Sequence, residues 1–370
     1  MNNNYDVILI CFTDPRFDAR TINLAKTLLK YNRKVALITP DYDTQPSYIN
    51  NSDYFPIKVN LDNRVKNSVK EFTKGVKKFK LTADYVHAAD FYSLPAAKNI
   101  KMKCGAKLTY DSREIYSQLN SLRNRPLTKK LVELKEKYLV TYVDRIIVTA
   151  KEDEIYLKKH FRHSIPYSII KNLPSSRERI SSNLLKDEFK IPEENLILLY
   201  QGWVLEGRGL DKVINSIKKL KNITLVIIGN GEYLDSLKKL VSNSNLDENV
   251  IFTGLISYDK LYEYTSSADV GLVLFENTSI SYQNALPNKL FEFIQAGLPV
   301  ISSNQDTITS IVEINEIGIV LDDLKENNII NSIKNLKSEE KRMKYSENID
   351  KIRSDYSYET QELEILKVFA

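Results

Sequence analysis

The stretch Val7-Ile-Leu-Ile-Cys-Phe12 is an unbroken apolar run of strand length, and a second such run, Val35-Ala-Leu-Ile-Thr39, follows it. Between the two runs, apolar residues from 22 to 29 recur at helical intervals. Unbroken apolar runs are typical of strands that are buried on both faces of a parallel sheet. A strand, a helix and a strand within about 35 residues form a βαβ unit, which predicts an α/β fold.

The same alternation of strands and helices continues through both halves of the chain. Further strands are predicted at 85–87, 107–110, 145–149, 196–201, 224–228, 250–252, 270–274, 299–302 and 318–321. Predicted helices between the strands include 62–80, 121–142, 210–221, 232–242, 259–267 and 288–296. Because both halves alternate in this way, the sequence predicts two doubly wound parallel-sheet domains.

The pattern loosens around residues 171–195, where the sequence becomes polar and charged. We therefore predict a first Rossmann-like domain over 1–170, a linker region over 171–195 and a second domain over 196–350. The remaining residues, 351–370, are predicted to form a helix that packs toward the first domain.

The composition favours a globular protein in a reducing compartment. Of 370 residues, 42% are hydrophobic and 27% charged, and no uncharged apolar run approaches the roughly 18–20 residues of a membrane-spanning helix. The first apolar run is too short, and its flanks too acidic, for a signal peptide. Two cysteines, Cys11 and Cys104, cannot form a disulfide framework or a zinc site. We therefore expect a cytoplasmic location.

The net charge of +5 hides an asymmetry between the two halves. Residues 1–170 carry 30 Lys and Arg against 18 Asp and Glu, whereas residues 171–370 carry 23 against 30. A basic first half suits nucleic acid, an anionic acceptor or an anionic membrane face. Its basic segments 64–80 and 123–137 suggest docking on the inner face of the plasma membrane. In 64–80, however, apolar residues at helical spacing fit either a membrane-facing helix or an ordinary core-facing helix with a solvated lysine face.

Two glycine-bearing turns follow predicted strands of the second half. The first contains Gly207-Arg208-Gly209, whose glycines allow close backbone approach while the guanidinium can pair with a diphosphate in bidentate fashion. The second, Gly229-Asn-Gly231, satisfies only the start of a G-x-G-x-x-G fingerprint, because Leu234 fills the third glycine position. The second turn fits either a phosphate loop or a plain tight turn.

A third turn, Pro287-Asn-Lys-Leu-Phe-Glu292, opens a predicted helix. Proline suits the first turn of a helix, and the N–H groups at that end can form an anion site together with the ammonium of Lys289. Glu292 lies a turn further along, where its carboxylate can accept hydrogen bonds from a ribose diol. Lys289 and Glu292 also fit a solvated pair at positions i and i+3 of a helix.

Five ordered blocks of the second half resemble the donor domain of retaining GT-B glycosyltransferases, the glycosyl transferases group 1 family. The blocks are Gly207-Arg208-Gly209, Ile-Ile-Gly-Asn-Gly-Glu at 227–232, Val-Ile-Phe-Thr-Gly at 250–254, Ala-Asp-Val-Gly at 268–271, and the third turn with Ala-Gly-Leu-Pro-Val at 296–300. The resemblance covers residues 196–325. It implies a GT-B architecture, in which two Rossmann-like domains face a cleft and the second domain binds a nucleotide-sugar.

The resemblance also implies roles for individual residues. Arg208 and Lys289 would hold the donor diphosphate and Glu292 the ribose, and these three are the predicted catalytic residues. The predicted donor-binding residues are Gly207, Gly209, Gly229, Gly231, Gly254, Leu255, Ile256, Asn284, Leu286, Pro287 and Asn288. Two positions depart from the family pattern, because Asn284 replaces a glutamate near the transferred sugar and Trp203 replaces an arginine. No Asp-x-Asp motif is placed to bridge a metal and a diphosphate, so no metal and no cofactor is expected.

The first half resembles an acceptor domain more loosely. Its residues 14–20, His87-Ala-Ala-Asp90 and Tyr110-Asp-Ser-Arg-Glu114 resemble three loops of the family. Arg113 stands where related enzymes have a histidine, and it fits either a site for an anionic acceptor or donor phosphate or a structural ion pair with Asp111 or Glu114. The predicted acceptor-side residues are Arg16, Arg20, His87, Asp90, Arg113 and Glu114.

Together these features predict a metal-independent, retaining glycosyltransferase. It would move a sugar from a nucleotide-sugar, with UDP favoured by family frequency, to a hydroxyl of a glycan, lipid-linked or protein acceptor in bacterial cell-surface assembly. Two alternatives stay open: a non-catalytic nucleotide-sugar or glycan-binding protein on the same fold, and a nucleotide-sugar epimerase. Nucleic acid is not an expected partner, because it would leave the donor-type blocks without a purpose.

Overall fold

The computed structural model describes residues 4–43, 45–61, 65–122, 124–161, 164–276 and 286–370. The chain divides into two compact units, one formed by Met1–Asn172 with Gln361–Ala370 and the other by Leu173–Thr360. Each unit contains one parallel sheet with helices along the crossover connections. The predicted architecture of two Rossmann-like parallel-sheet domains is thereby confirmed.

The sheet of the first unit has seven parallel strands in the order β3-β2-β1-β4-β5-β6-β7. The strands are β1 (Asn4–Ile10), β2 (Val35–Pro40), β3 (Tyr54–Ile57), β4 (Thr82–Ala88), β5 (Lys107–Ser112), β6 (Arg145–Val148) and β7 (Tyr167–Ile169). The connecting helices are α1 (Ala19–Lys30), α2 (Val65–Val76), α3 (Leu94–Cys104), α4 (Pro126–Val140) and α5 (Lys151–Phe161). The strand order reverses direction at β1 and β4, which places the loops after these two strands where an open α/β sheet binds its ligands.

The sheet of the second unit has six parallel strands in the order β10-β9-β8-β11-β12-β13. The strands are β8 (Leu196–Gln201), β9 (Ile223–Ile228), β10 (Val250–Gly254), β11 (Val270–Val273), β12 (Val300–Ser303) and β13 (Gly318–Leu321). The helices are α6 (Leu184–Phe189), α7 (Leu210–Ile217), α8 (Leu234–Ser242), α9 (Tyr258–Ser266), α10 (Asn288–Ala296), α11 (Asp306–Ile314), α12 (Glu326–Leu336) and α13 (Glu339–Ile352). In this sheet the strand order reverses direction between β8 and β11.

The last helix, α14 (Glu362–Val368), belongs to the first unit. Lys30 on α1 forms an ion pair with Glu362 at 2.6 Å, and the Phe369 ring packs edge-on against Tyr85 of β4. The segment that returns to the first unit starts at Gln361, whereas the sequence-based range starts at 351. In the same way, the described second unit already includes α6, inside the range 171–195 that the sequence assigns to a linker.

The central strands follow their apolar runs closely because both of their faces are covered. All six residues of β2, β8 and β9 are buried, so these strands contribute side chains to both layers of helices. Two strands at the edge of the first sheet, β3 and β7, were not predicted from the sequence. They have only four and three residues, and β3 contains Pro56, which an edge strand tolerates because one side of its backbone needs no partner.

Helix α2 directs its apolar face into the core of the first unit. Val69, Phe72 and Val76 are buried there, and the lysines between them face outward. This arrangement is the core-facing interpretation of the basic segment 64–80, whose first residue lies outside the described residues. Across the described parts of the chain, no helix is both long and apolar enough to cross a membrane.

Candidate active site

The loops after β8, β9 and β10 are joined by backbone hydrogen bonds at one edge of the second sheet. The Gly202 N–H donates to the Ile228 carbonyl at 2.9 Å, and the Gly229 N–H donates to the Gly254 carbonyl at 2.8 Å. The loops after β8 and β9 also stay side by side beyond the sheet, because the Val204 N–H donates to the Asn230 carbonyl at 2.9 Å. These bonds hold the backbones of the three loops in fixed positions relative to one another.

The glycines of the second turn have a structural reason to be glycine. A Cβ atom on Gly229 would lie 2.0 Å from the Gly202 carbonyl oxygen, and one on Gly231 would lie 2.1 Å from the Val204 carbonyl oxygen. Both clashes involve backbone, so neither can be relieved by a side-chain movement. The close packing of two neighbouring loops therefore accounts for both glycines without a bound phosphate.

The first turn presents Arg208 at the start of helix α7. Gly207 and Gly209 flank it with φ angles of +81° and +67°, a left-handed conformation that glycine adopts without strain. The guanidinium carbon of Arg208 lies 4.3 Å from the centre of the Phe275 ring, just beyond β11. Because the guanidinium of Arg208 lies over this ring, its N–H groups at the edge are the ones that can hydrogen bond an anion.

Lys289 occupies the first turn of α10, which begins directly after Pro287. Its side chain is buried, with 7% of its surface exposed, and its Nζ atom lies 3.5 Å from the centre of the Tyr200 ring. Among the described residues, this Nζ atom has no hydrogen-bond partner. Burial and the nearby Arg208 cation hold the pKa of Lys289 well below its usual range, and the Glu292 carboxylate only partly opposes this shift.

Glu292, about one turn further along α10 than Lys289, is held in place by a short chain of polar groups. The side-chain amide of Gln201, the last residue of β8, donates a hydrogen bond to the Glu292 carboxylate. The Thr265 hydroxyl on α9 lies 2.8 Å from the Gln201 amide oxygen and so fixes the orientation of that amide. Burial raises the pKa of Glu292, while the Gln201 hydrogen bond and the Lys289 cation act in the other direction.

A small cavity beside Glu292 is lined by residues that the sequence analysis did not select. Arg177 forms one wall, and its guanidinium carbon lies 5.4 Å and 5.0 Å from the ring centres of Tyr258 and Tyr262. Gln201 and Thr265 line the cavity as well. Gln201 could have been found as the polar residue that ends a buried strand, but Arg177 and Thr265 have no local sequence signal.

The structure therefore places the three predicted catalytic residues at one edge of one sheet. Lys289 interacts electrostatically with both Arg208 and Glu292 and therefore lies between these two charges in the group. The first N–H groups of α10 lack acceptors within the helix and add partial positive charge at the same place. Such an arrangement can bind a dianionic group next to a polar group that hydrogen bonds a hydroxyl.

The remaining predicted donor-binding residues lie at the start of α10 and at the end of β10. Leu286 and Pro287 precede α10, Asn288 is its first residue, Gly254 ends β10, and Leu255 and Ile256 follow that strand. Leu255 is exposed, and a side chain on Gly254 would meet open space. Trp203 is also exposed. Asn284 lies outside the described residues.

In the first unit, the polar residues after β1, β4 and β5 form a second group with paired charges. Arg20 is buried and forms a bidentate ion pair with Asp111, with distances of 2.5 Å from Nε and 2.9 Å from Nη2. Its Nη1 donates to the Ile170 carbonyl at 2.7 Å. Arg20 thus ties the start of α1 to the ends of β5 and β7.

Arg113 is also engaged in ion pairs. Its guanidinium donates to Asp18 at 2.7 Å, to the Thr21 hydroxyl at 3.0 Å and to Asp111 at 3.3 Å. Burial alone would raise the pKa of Asp18, but Arg113 and the hydrogen bonds from Thr21 outweigh it and hold that pKa well below its usual range. The structural ion pair with Asp111 that the sequence analysis left open is present.

His87 and Asp90 contribute two buried polar atoms that face this group. The His87 Nδ1 atom lies 2.9 Å from the Thr109 hydroxyl, and the Asp90 Oδ1 atom accepts the Ser93 N–H at 2.6 Å. Within the described ranges, neither the His87 Nε2 atom nor the Asp90 Oδ2 atom has a hydrogen-bond partner. Burial lowers the pKa of His87 to about 4 and raises that of Asp90.

The other two acceptor-side candidates lie closer to the surface. Arg16 pairs with its neighbour Asp14, with 2.9 Å between Nε and Oδ1, and Glu114 is exposed. Across the described residues, no group of three or more histidine, cysteine, aspartate or glutamate side chains is arranged to hold a metal ion.

Comparison with known proteins agrees with this architecture. Residues 181–352 match the sequence profile of the family described as glycosyl transferases group 1. An uncharacterized glycosyltransferase of Methanocaldococcus jannaschii is 27% identical over 201 residues, which are 50% of this chain and 48% of that protein. The match thus spans about half the length of this curated relative.

Solved structures resemble the chain over nearly its whole length. Sucrose-phosphate synthase from Thermosynechococcus elongatus has a TM-score of 0.80 at 16% identity, covering 99% of this chain and 98% of its own. Anabaena HepE in complex with UDP-glucose has a TM-score of 0.76 at 12% identity, covering 98% and 99%. At these identities the likeness establishes the fold. Residues 181–352 therefore resemble the glycosyl transferases group 1 family, and the chain has the GT-B fold.

Proposed function

We propose that the protein is a glycosyltransferase that moves a sugar from a nucleoside diphosphate sugar to an acceptor hydroxyl. The observation that carries this proposal is the Lys289 ammonium, which is buried beside Arg208 at the start of α10 and has no hydrogen-bond partner among the described residues. A buried cation without a hydrogen-bond acceptor costs stability, so an anionic ligand that pairs with it best explains its presence. A diphosphate is the anion that two adjacent cations and a helix N-terminus bind well.

The same charges would assist the chemical step. When the bond between the sugar and the diphosphate breaks, negative charge grows on the departing phosphate oxygen. Lys289, Arg208 and the first N–H groups of α10 would stabilise that charge without any reorganisation of solvent. The loss of one such contact is expected to cost about 2–4 kcal/mol in the transition state.

Glu292 would select the nucleoside part of the donor. Its carboxylate is already oriented by Gln201, and an ionised carboxylate can accept both hydroxyls of a ribose. In a folded Glu292→Gln variant, nucleotide affinity is expected to fall about tenfold, because an amide oxygen is a weaker acceptor than a carboxylate. Unchanged affinity would remove Glu292 from the binding site.

The first unit would supply the acceptor side. Its cations are paired internally, whereas His87 Nε2 and Asp90 Oδ2 are buried polar atoms with unused hydrogen-bonding capacity in the described structure. Neutral sugar hydroxyls suit such atoms better than an anionic group does, because no buried charge has to be compensated. We propose a glycan, lipid-linked or protein hydroxyl as the acceptor, and assembly of cell-surface glycans as the setting.

A thermal-shift panel with UDP, GDP, ADP and CMP tests the donor site first. A nucleotide at about 100 times its dissociation constant should stabilise the protein by about 2.7 kcal/mol. UDP is the first choice, a choice supported by HepE, whose structure was solved with UDP-glucose. Arg208→Ala should abolish the shift, whereas Arg179→Ala, an arginine of the same unit paired with Asp350, should preserve it.

Turnover separates the proposal from its two alternatives. Incubation of the responding nucleotide-sugar with glycan and lipid-linked acceptors should release nucleoside diphosphate and form a new glycoside. Binding of nucleotide without release in any acceptor mixture would favour a non-catalytic binding protein. Conversion of the sugar into its epimer would favour an epimerase.

We further propose that the reaction retains the anomeric configuration and needs no metal. Arg208 and Lys289 would take the role that a metal ion has in other transferases, since the two cations lie close enough to interact electrostatically and could both bind one diphosphate. Proton NMR of the product should show the anomeric configuration of the donor, and inversion would contradict the proposal. Activity should persist in excess EDTA, and its loss with recovery on added magnesium would contradict metal independence.

A further inference from the structure

Helix α4 exposes an apolar stripe on the outer surface of the first unit. Leu127, Leu131, Leu134 and Tyr138 are 82%, 68%, 53% and 56% exposed. Their spacing of four, three and four residues puts all four side chains on one face of the helix. Three neighbouring leucines in water are unusual for a surface that has no partner.

The stripe is not needed by the core of the unit. The opposite face of α4 is the buried one, and it contributes Leu139, Val140 and Glu136, whose carboxylate accepts the Tyr110 hydroxyl at 2.7 Å. A helix that already packs one face inward gains nothing in folding from a second apolar face. The outward stripe of α4 thus points to binding rather than to stability.

Basic residues flank the stripe and extend beyond it. Lys130 and Lys137 lie along one side and Lys135 along the other, with Lys130 and Lys137 both reaching Glu133. From α3, Lys98 comes within 2.9 Å of the Tyr138 hydroxyl. The segments 65–80, 94–104 and 126–140, whose helices pack side by side, contain thirteen lysines and three glutamates.

We propose that this face of the first unit, with the α4 stripe at its centre, docks on an anionic lipid bilayer. The bilayer fits both features at once, because its acyl boundary accepts the leucines while its phosphates attract the surrounding lysines. The hydroxyl of Tyr138 would lie at headgroup depth, where an amphipathic ring is stable. The apolar face of α2, in the segment 64–80, is buried in the core and so does not face a membrane. We therefore assign the membrane-facing role to α4 instead. This proposal does not depend on the glycosyltransferase activity.

Co-sedimentation of the full chain with vesicles tests the proposal. The protein should bind vesicles of equal parts phosphatidylcholine and phosphatidylglycerol more tightly than vesicles of phosphatidylcholine alone, and added salt should weaken the binding. The triple variant Leu127→Ser/Leu131→Ser/Leu134→Ser should bind the mixed vesicles at least about tenfold more weakly. The double variant Lys130→Gln/Lys135→Gln should lose part of the preference for the anionic vesicles.

A matched control removes three exposed apolar side chains elsewhere. Ile314→Ser/Met343→Ser/Leu363→Ser should bind vesicles as the wild type does, because these residues lie outside the face. Equal binding to both kinds of vesicle, or no binding to either, would overturn the proposal. It would also be overturned if the wild type formed a dimer in sedimentation velocity that the leucine triple variant lacked while neither protein bound vesicles, because the stripe would then bind a second copy. Since all three leucines are more than half exposed, the variant should melt at the temperature of the wild type, which circular dichroism checks.

Discussion

Both units bury charged side chains near the ends of their strands, but they differ in whether a buried cation is hydrogen bonded to a carboxylate. In the first unit, Arg20 and Arg113 each bind aspartates, and Arg20 has contacts from both Nε and Nη2 to Asp111. In the second unit, the Lys289 ammonium is also buried, yet it lies against the face of the Tyr200 ring and within the described residues has no hydrogen-bond partner. The first arrangement needs no ligand to pair its cations, and we propose that a ligand pairs the cation of the second.

This difference distinguishes a structural charge from a functional one. A paired buried cation holds loops together, and removing it leaves an uncompensated carboxylate. An unpaired buried cation destabilises the free protein and gains its partner on binding. Burial and pKa shifts occur in both units, so it is the pairing that separates the two roles.

The largest effect on stability is expected for Arg20→Met. The substitution leaves Asp111 buried beside Arg113 alone, at 3.3 Å, and should lower the free energy of unfolding by about 3 kcal/mol. Urea unfolding followed by circular dichroism measures this change. The control is Arg16→Met, whose ion pair with Asp14 is partly exposed and should contribute less than about 1 kcal/mol. Equal losses in the two variants would show that the Arg20 pair is no more than a surface contact.

The second effect is a dependence of the free energy of unfolding on pH, which comes from His87 in the first unit. Because burial lowers the pKa of His87 to about 4 from 6.5, the unfolded chain binds more protons between these values. Stability should therefore rise with pH through this window, by about 3 kcal/mol from this group, and be lost as the pH falls through it. The variant His87→Gln should lack this contribution. A wild type and variant with parallel stability curves from pH 4 to pH 7 would refute it.

A smaller effect of opposite sign is expected for Lys289→Met in the second unit. Removal of the buried ammonium beside Arg208 should raise the free energy of unfolding by about 1 kcal/mol. The single tryptophan, Trp203, lies in this unit, so its fluorescence can follow the transition. Lys212→Met, which removes a partly exposed pair with Glu276, should change stability by less than about 0.5 kcal/mol. Destabilisation by Lys289→Met would mean that the ammonium is satisfied in the free protein.

The smallest change in stability is expected for Asp90→Asn. Asparagine keeps the oxygen that accepts the Ser93 N–H and introduces no buried charge, so the free energy of unfolding should change by less than about 1 kcal/mol. If Asp90 binds the acceptor hydroxyl, transfer should nevertheless slow by roughly 10²-fold. Steady-state kinetics against acceptor concentration measures this, and full activity would remove Asp90 from the acceptor side.

The sequence predicted the fold well wherever local signals are strong. Strand β8, strand β13 and helix α10 have the predicted bounds, because each is an apolar segment ended by glycine, proline or a change of spacing. The edge strands β3 and β7 were missed because their few residues bury little apolar surface. For α2 and α4, the sequence could not show which apolar face the core covers, since both helices combine apolar residues with lysines.

The candidate site was predicted in part for a similar reason. Arg208, Lys289 and Glu292 follow glycine- and proline-marked turns, so their place at the strand ends could be read locally. Arg113 binds Asp111, as the sequence suggested, and it also binds Asp18, which is 95 residues away and has no local signal. Gln201 and Thr265, which orient Glu292, likewise meet only through the fold.

Isothermal calorimetry with nucleoside diphosphates on the wild type, Lys289→Met and Lys212→Met measures whether the Lys289 ammonium binds the donor. UDP and GDP are titrated into each protein, and each variant must first show a folded thermal transition. We expect one diphosphate to bind the wild type and Lys212→Met alike and to bind Lys289→Met about 2–5 kcal/mol more weakly, although that variant is the more stable protein. If Lys289→Met bound the diphosphate as tightly as the wild type does, or if neither diphosphate bound the wild type, Lys289 would not be the cation that pairs with the donor diphosphate.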